Sequence, residues 1–146
     1  MTLLERTFAL ADGPTLAREL IAAYWARPVW TFTGDLGAGK TTLIQALAQE
    51  VGIQDAVTSP TYTLIQEYQL PDGQLLYHLD LYRLTGEAEL AAIGVPELLT
   101  SGARCWVEWP HMAVDFLPED AIHVHLFHYS VETRGLRITQ ALPELP

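Results

Sequence analysis

The segment GDLGAGKTT, Gly34 to Thr42, holds the only lysine in the chain; every other cationic side chain is an arginine. The spacing Gly34-x-x-x-x-Gly39-Lys40-Thr41 satisfies the Walker A pattern of a phosphate-binding loop. Glycines let the backbone across Gly34, Asp35, Leu36, Gly37, Ala38 and Gly39 wrap tightly, so that N–H groups converge on one anion. A helix opening near Lys40 adds the positive end of its dipole. Lys40 is then placed for the outer phosphates of a nucleotide, and the Thr41 hydroxyl for a Mg²⁺ ion. Thr42 either supplies a second hydroxyl near the first phosphate or packs in the first helical turn.

A phosphate-bound Mg²⁺ takes one or two carboxylates, and in open α/β sheets these stand at the carboxyl ends of strands. Asp80 ends the apolar run LLYHLD and Glu108 ends RCWVE. One of the two acids is expected to hold the metal and the other to orient or deprotonate water. The residue pattern does not divide those roles. Thr58, Ser59 and Thr61 surround Pro60 in a stretch that reads either as a nucleotide-sensing loop or as a polar turn. Arg83, in HLDLYRL, is open between an ion pair, a partner contact and a phosphate contact. His123 and His125 share a strand face by the two-residue period, but no cysteine or acid completes a metal set.

The elements that must hold these groups follow from periodicity. ERTFAL reads as a short strand, and PTLARELIAAYWA as a helix with Leu16, Leu20, Ile21 and Tyr24 on one face. PVWTFT, Pro28 to Thr33, reads as a buried strand leading directly into the glycine loop, and TTLIQALAQEVG as a helix ending at Gly52. LIQEYQL and QLLYHLD flank Pro71-Asp72-Gly73 and form a hairpin. GEAELAAIG and PELLT are short helices; RCWVEW, AIHVHLFHY and TRGLRITQAL are strands. The sum predicts an α/β fold: one three-layer, P-loop NTPase-like domain over residues 1–146, with a mixed, mostly parallel sheet whose strand order stays open.

The chain has 146 residues and a formal net charge of −10. Affinity for free nucleic acid comes mainly from Lys and Arg, which are sparse here, so direct DNA binding is not expected. Charges and prolines interrupt every apolar run before the ~18 residues of a membrane span. The N-terminus MTLLERTFALADG lacks a signal-like apolar stretch, which predicts a soluble cytoplasmic protein. The lone Cys105 excludes an internal disulfide framework.

GDLGAGKTT, SPTYTL, YHLDLYRL and VEWP occur in the order found in the TsaE (formerly YjeE) family, and the resemblance spans nearly the whole chain, from roughly Leu10 to Arg137. The Walker motif alone is generic; the ordered set of four is specific. The resemblance implies a small P-loop ATPase of tRNA threonylcarbamoyladenosine biosynthesis. It implies ATP and Mg²⁺ as cofactors, TsaD and TsaB as partners that stimulate hydrolysis, and tRNA met indirectly through that complex. The family does not itself transfer the threonylcarbamoyl group. By resemblance, Thr41 and Glu108 are Mg²⁺ ligands, and Asp80 and Thr61 are active-site or switch residues. Trp109 belongs to a Glu-Trp-Pro element, Arg134 corresponds to a C-terminal nucleotide-contacting arginine, and the segment Leu10 to Thr15 lies near adenine. His111 departs from the family pattern, which has glutamate or glutamine after Glu-Trp-Pro.

Two rivals remain on the residues alone. A small-molecule kinase would need an acceptor pocket and usually an arginine-bearing lid, for which little chain is left. A non-hydrolysing, nucleotide-responsive binding module would differ only in lacking an activated water.

Overall fold

A computed structural model describes residues 1–35, 37–54 and 64–143. Leu36, Thr58, Ser59, Pro60 and Thr61 lie outside the described residues. Among the described residues, seven strands form one sheet: β1 (Thr2–Ala9), β2 (Val29–Gly34), β3 (Ile65–Gln69), β4 (Leu75–Asp80), β5 (Arg104–Glu108), β6 (Ile122–His128) and β7 (Thr133–Thr139). Their order is β1-β7-β6-β2-β5-β4-β3. The central strands β6, β2, β5 and β4 run parallel, while β3 pairs antiparallel with β4, and β7 antiparallel with both β6 and β1. Three-layer packing explains why β2 reads as a nearly continuous buried run: both faces of a central parallel strand are covered.

Helices α1 (Gly13–Tyr24) and α2 (Lys40–Glu50) cover one face, and α3 (Glu87–Ala92) and α4 (Val95–Thr100) the other. The spacing of Leu16 and Leu20 on α1, and of Leu43, Ile44 and Leu47 on α2, points each apolar stripe inward against Trp30, Phe32 and Trp106. Each buried leucine, isoleucine or phenylalanine of this set contributes about 1.5–3 kcal/mol relative to exposure. Val29, Leu79, Cys105 and Val107 face Leu90, Val95 and Leu99 on the second side. Alternation therefore assigns a face to every strand residue, and that assignment carries into the site.

β1 is longer than the short strand predicted for it, because it lies along the full length of β7, from Thr2 opposite Thr139 to Ala9 opposite Thr133. At Leu10 the chain leaves the sheet in a 3-10 turn, Leu10–Asp12, that delivers it to α1. The predicted hairpin forms around Pro71-Asp72-Gly73, with the Leu70 N–H donating to the Gln74 carbonyl. No helix among the described residues is long and apolar enough to cross a membrane.

Candidate functional site

β2 ends at Gly34 and α2 begins at Lys40, so the glycine loop sits at the carboxyl end of the central parallel strands. Glycine is required at Gly34 and at Gly39. A Cβ on Gly34 (φ +151°) would come within 2.5 Å of the Leu126 carbonyl oxygen, a main-chain atom that cannot step aside. Gly39 precedes α2 in a left-handed conformation (φ 99°, ψ 15°) that L side chains avoid. The Ala38 N–H closes the turn on the Asp35 carbonyl at 2.9 Å, and the buried Ala38 methyl anchors the loop from beneath.

A cleft of about 340 Å³ opens over the loop, lined by Asp35, Gly37, Gly39, Lys40, Thr41, Thr42, Asp80, Glu108, Trp109 and Leu10. Alternation explains the acids. Leu76, His78 and Asp80 share one face of β4, Trp106 and Glu108 share the corresponding face of β5, and that face carries α2. Asp80 and Glu108 are register partners on adjacent parallel strands, so the two carboxylates stand side by side at the rim. Glu108 is buried and its Oε2 lies 2.8 Å from His78 Nε2. Asp80 accepts the Tyr82 N–H at 3.1 Å, which turns the chain away from the sheet.

Burial pulls the Lys40 pKa below its ordinary value, opposed by the charges of Glu108, Asp80 and Asp35. Burial pushes the Asp80 carboxyl above the usual range. Glu108 adds to that rise, while the Tyr82 N–H, His78 and Lys40 oppose it. The cleft thus sets two poorly solvated acids, Asp80 and Glu108, beside one ammonium group, with the exposed Asp35 as a third acid at its edge.

Trp109 follows Glu108 directly, and strict alternation would send it to the opposite face. It instead takes up a left-handed conformation (φ 55°, ψ 57°), the only positive φ among the described non-glycine residues. Such a kink costs on the order of 1–3 kcal/mol. It turns the indole into the cleft that Glu108 also lines. There Lys40 Nζ stands 4.3 Å from the ring centroid and Tyr82 packs at 4.9 Å. Tyr82 is not among the residue types that suggest chemistry; its signal in the sequence is its place two residues after Asp80, inside the segment YHLDLYRL.

Arg134 is the second residue of β7, at the same end of the sheet, opposite His128. A Cβ on Gly39 would touch Leu10 at 3.6 Å and Arg134 Cγ at 3.9 Å, so both residues border the loop. The Arg134 guanidinium is engaged with its own turn, donating to the carbonyls of Ser130, Val131 and Thr133 at 3.1–3.4 Å. It is near the site but does not line the cleft. Arg137 points elsewhere, to Glu5 at 2.6 Å.

Among the described residues no group of three or more His, Cys, Asp or Glu side chains forms a metal cage of its own. The donors at the cleft are instead of the kind that share a hard cation with a bound phosphate: a buried carboxylate, a neighbouring one, and a helix-terminal hydroxyl.

A strand running into a glycine loop, a helix opening at Lys-Thr, and strand-end acids on the same face define a P-loop NTPase-type protein. The family model for "Threonylcarbamoyl adenosine biosynthesis protein TsaE" matches residues 9–136. The chain belongs to the TsaE family. It is 38% identical over 121 residues to the tRNA threonylcarbamoyladenosine biosynthesis protein TsaE of Haemophilus influenzae, covering 82% of this chain and 76% of that protein. It is likewise 38% identical over 128 residues to the protein of that name from Bacillus subtilis, covering 86% and 78%. Among solved structures it resembles Bacillus subtilis YdiB with a TM-score of 0.66 and 29% identity, over 98% of this chain and 88% of the other.

Proposed function

We propose that this protein is a Mg²⁺-dependent ATPase serving tRNA N6-threonylcarbamoyladenosine formation beside the anticodon. The observation that carries the hydrolytic reading is the convergence of Lys40, Asp80 and Glu108 on one cleft above the glycine loop. The names of its relatives carry the pathway.

In this reading the loop N–H groups and the α2 dipole hold the ATP phosphates, and Lys40 offsets charge that grows on the outer phosphates in the transition state. Thr41 and Glu108 would hold Mg²⁺, which when bound neutralises phosphate charge. Asp80, the register neighbour of Glu108 at the rim of the cleft, would orient a water and accept its proton. That water attacks the γ-phosphorus, the bond to the β–γ bridging oxygen breaks, and ADP and inorganic phosphate leave. Trp109 packs against the phosphate-binding lysine and limits water access. Thr61 would act as a switch residue, and Arg134 would reach the nucleotide by leaving the carbonyls of its turn.

Lys40 is the only cationic side chain among the described residues lining the cleft, so turnover by the isolated chain should be slow. A partner that supplied or assembled further charge stabilisation could raise it ~10³-fold or more. TsaD and TsaB are the proposed partners, and tRNA would be met through them, in keeping with a net charge of −10. The test is Mg²⁺-ATP hydrolysis by the purified chain, alone and with TsaD–TsaB. Slow turnover that rises on addition supports the reading. Turnover indifferent to the pair, but raised by a small hydroxyl compound that becomes phosphorylated, would make the protein a kinase.

A further inference from the structure

His78 is almost wholly buried in β4, two residues before Asp80 and diagonally across from Glu108 on β5. Its Nε2 lies 2.8 Å from Glu108 Oε2, while its Nδ1 is buried and meets no hydrogen-bond partner among the described residues. An ionised carboxylate can only accept, so the proton of this bond belongs to Nε2. A neutral imidazole then carries its lone pair at Nδ1. An unpartnered buried acceptor is tolerated better than an unpartnered buried N–H. The surroundings therefore select the Nε2–H tautomer.

That bond has a consequence for Glu108. A glutamate has three rotatable side-chain bonds, and one whose carboxylate merely faced a cleft could swing between orientations. Here Oε2 is tied to an imidazole that is itself fixed by the core, beside Trp106 in the register of β4 and β5. Oε1 is left as the oxygen for the cleft that Glu108 lines.

We propose that His78 is a positioning residue for Glu108: its Nε2–H fixes one carboxylate oxygen and so orients the other toward the cation that accompanies the nucleotide. This rests on the reading of Glu108 as a metal-binding acid. Outer hydrogen-bond partners of metal-ligating groups typically matter about 10–100-fold in metal affinity.

The test compares His78→Leu, which removes the donor, with His78→Gln, whose amide nitrogen can reach about the place of Nε2. Mn²⁺ and Mg²⁺ are titrated onto the protein with a non-hydrolysable ATP analogue, and bound Mn²⁺ is read by electron paramagnetic resonance. His78→Leu should weaken metal binding about 10–100-fold. His78→Gln should recover most of that loss, and metal-free nucleotide binding should be unchanged in both. Unaltered metal affinity in folded His78→Leu, or an equal loss in the two variants, overturns the positioning role. Should the variants not fold, the ¹⁵N shifts of the wild-type imidazole decide: an Nε2–H tautomer supports the proposal and an Nδ1–H tautomer overturns it. Glu108→Ala in the same titration keeps the two readings apart. Unchanged affinity there removes Glu108 as a ligand, and the proposal with it. Loss there with none in His78→Leu overturns only the role of His78.

Discussion

Buried and half-buried histidines bridge adjacent parallel strands on both faces of this sheet, with different partners. On the face that carries α3 and α4, Thr31 bonds His123 at 2.7 Å, and Thr33 bonds His125 at 2.7 Å one step higher on the same two strands. On the face that carries α2, His78 bonds Glu108 at 2.8 Å. The threonine–histidine pairs are neutral. Burial, with a smaller contribution from His111, drives the His123 pKa down to about 4, and burial lowers His125 as well. These pairs satisfy polar groups inside the fold and tie β2 to β6. The histidine–glutamate pair instead keeps a carboxylate at the edge of a cleft beside an ammonium group. A hydroxyl partner closes off an imidazole, whereas a carboxylate with two oxygens can be held by one and act with the other. The same residue type is thus structural on one face and points to chemistry on the other.

The sharpest way to break this contrast is through the cleft. Lys40→Ala should cut ATP hydrolysis by at least about 100-fold while leaving thermal stability nearly unchanged, since it deletes charge stabilisation of the transition state. Near-normal turnover in the folded variant would remove the loop from the mechanism. Glu108→Ala should cost about 100-fold in Mg²⁺-dependent turnover. An unchanged Mg²⁺ requirement would move the metal assignment to Asp80.

The opposite face should respond in stability and not in activity. The folded-state pKa of His123 is depressed from 6.5 to about 4, so the unfolded chain binds its proton first as the pH falls. The stabilisation is therefore complete above about pH 6.5 and is lost between there and pH 4, with a slope of at most about 1.4 kcal/mol per pH unit. Thr31 and His111 are the groups that face this imidazole, so denaturant titrations of wild type and His123→Gln across that range should differ in slope. No difference in slope would mean that His123 is not held neutral. Thr31→Val leaves His123 Nδ1 without its partner and should destabilise by about 1–3 kcal/mol with turnover intact. Thr33→Val, whose pair is only part-buried, should cost less, about 1 kcal/mol by chemical denaturation. Activity that fell with either threonine would show that the two faces are coupled.

Much of the fold was legible because its determinants are local. The helical stripe of Leu16 and Leu20, the run PVWTFT, and the turn Pro71-Asp72-Gly73 each record a nearby backbone preference. Asp80 and Glu108 could be singled out because each ends an apolar strand. The kink at Trp109 could not be read, because period-two alternation predicts the other face and a residue before proline is ordinarily extended. The Tyr82–Trp109 ring contact was equally hidden, since it joins loops that follow different strands.

By itself the sequence determined the P-loop, its place between a strand and a helix, the two candidate acids, and the family. These depend on residue type at fixed spacing, which the chain carries wherever it folds. Tertiary structure alone decided the order β1-β7-β6-β2-β5-β4-β3, and with it that Asp80 and Glu108 are register neighbours. It also decided that His78 meets Glu108 across 30 residues and that Arg134 returns to the edge of the loop. Pairing between strands distant in sequence is set by which faces can be buried together, a property of the whole sheet that no single segment records.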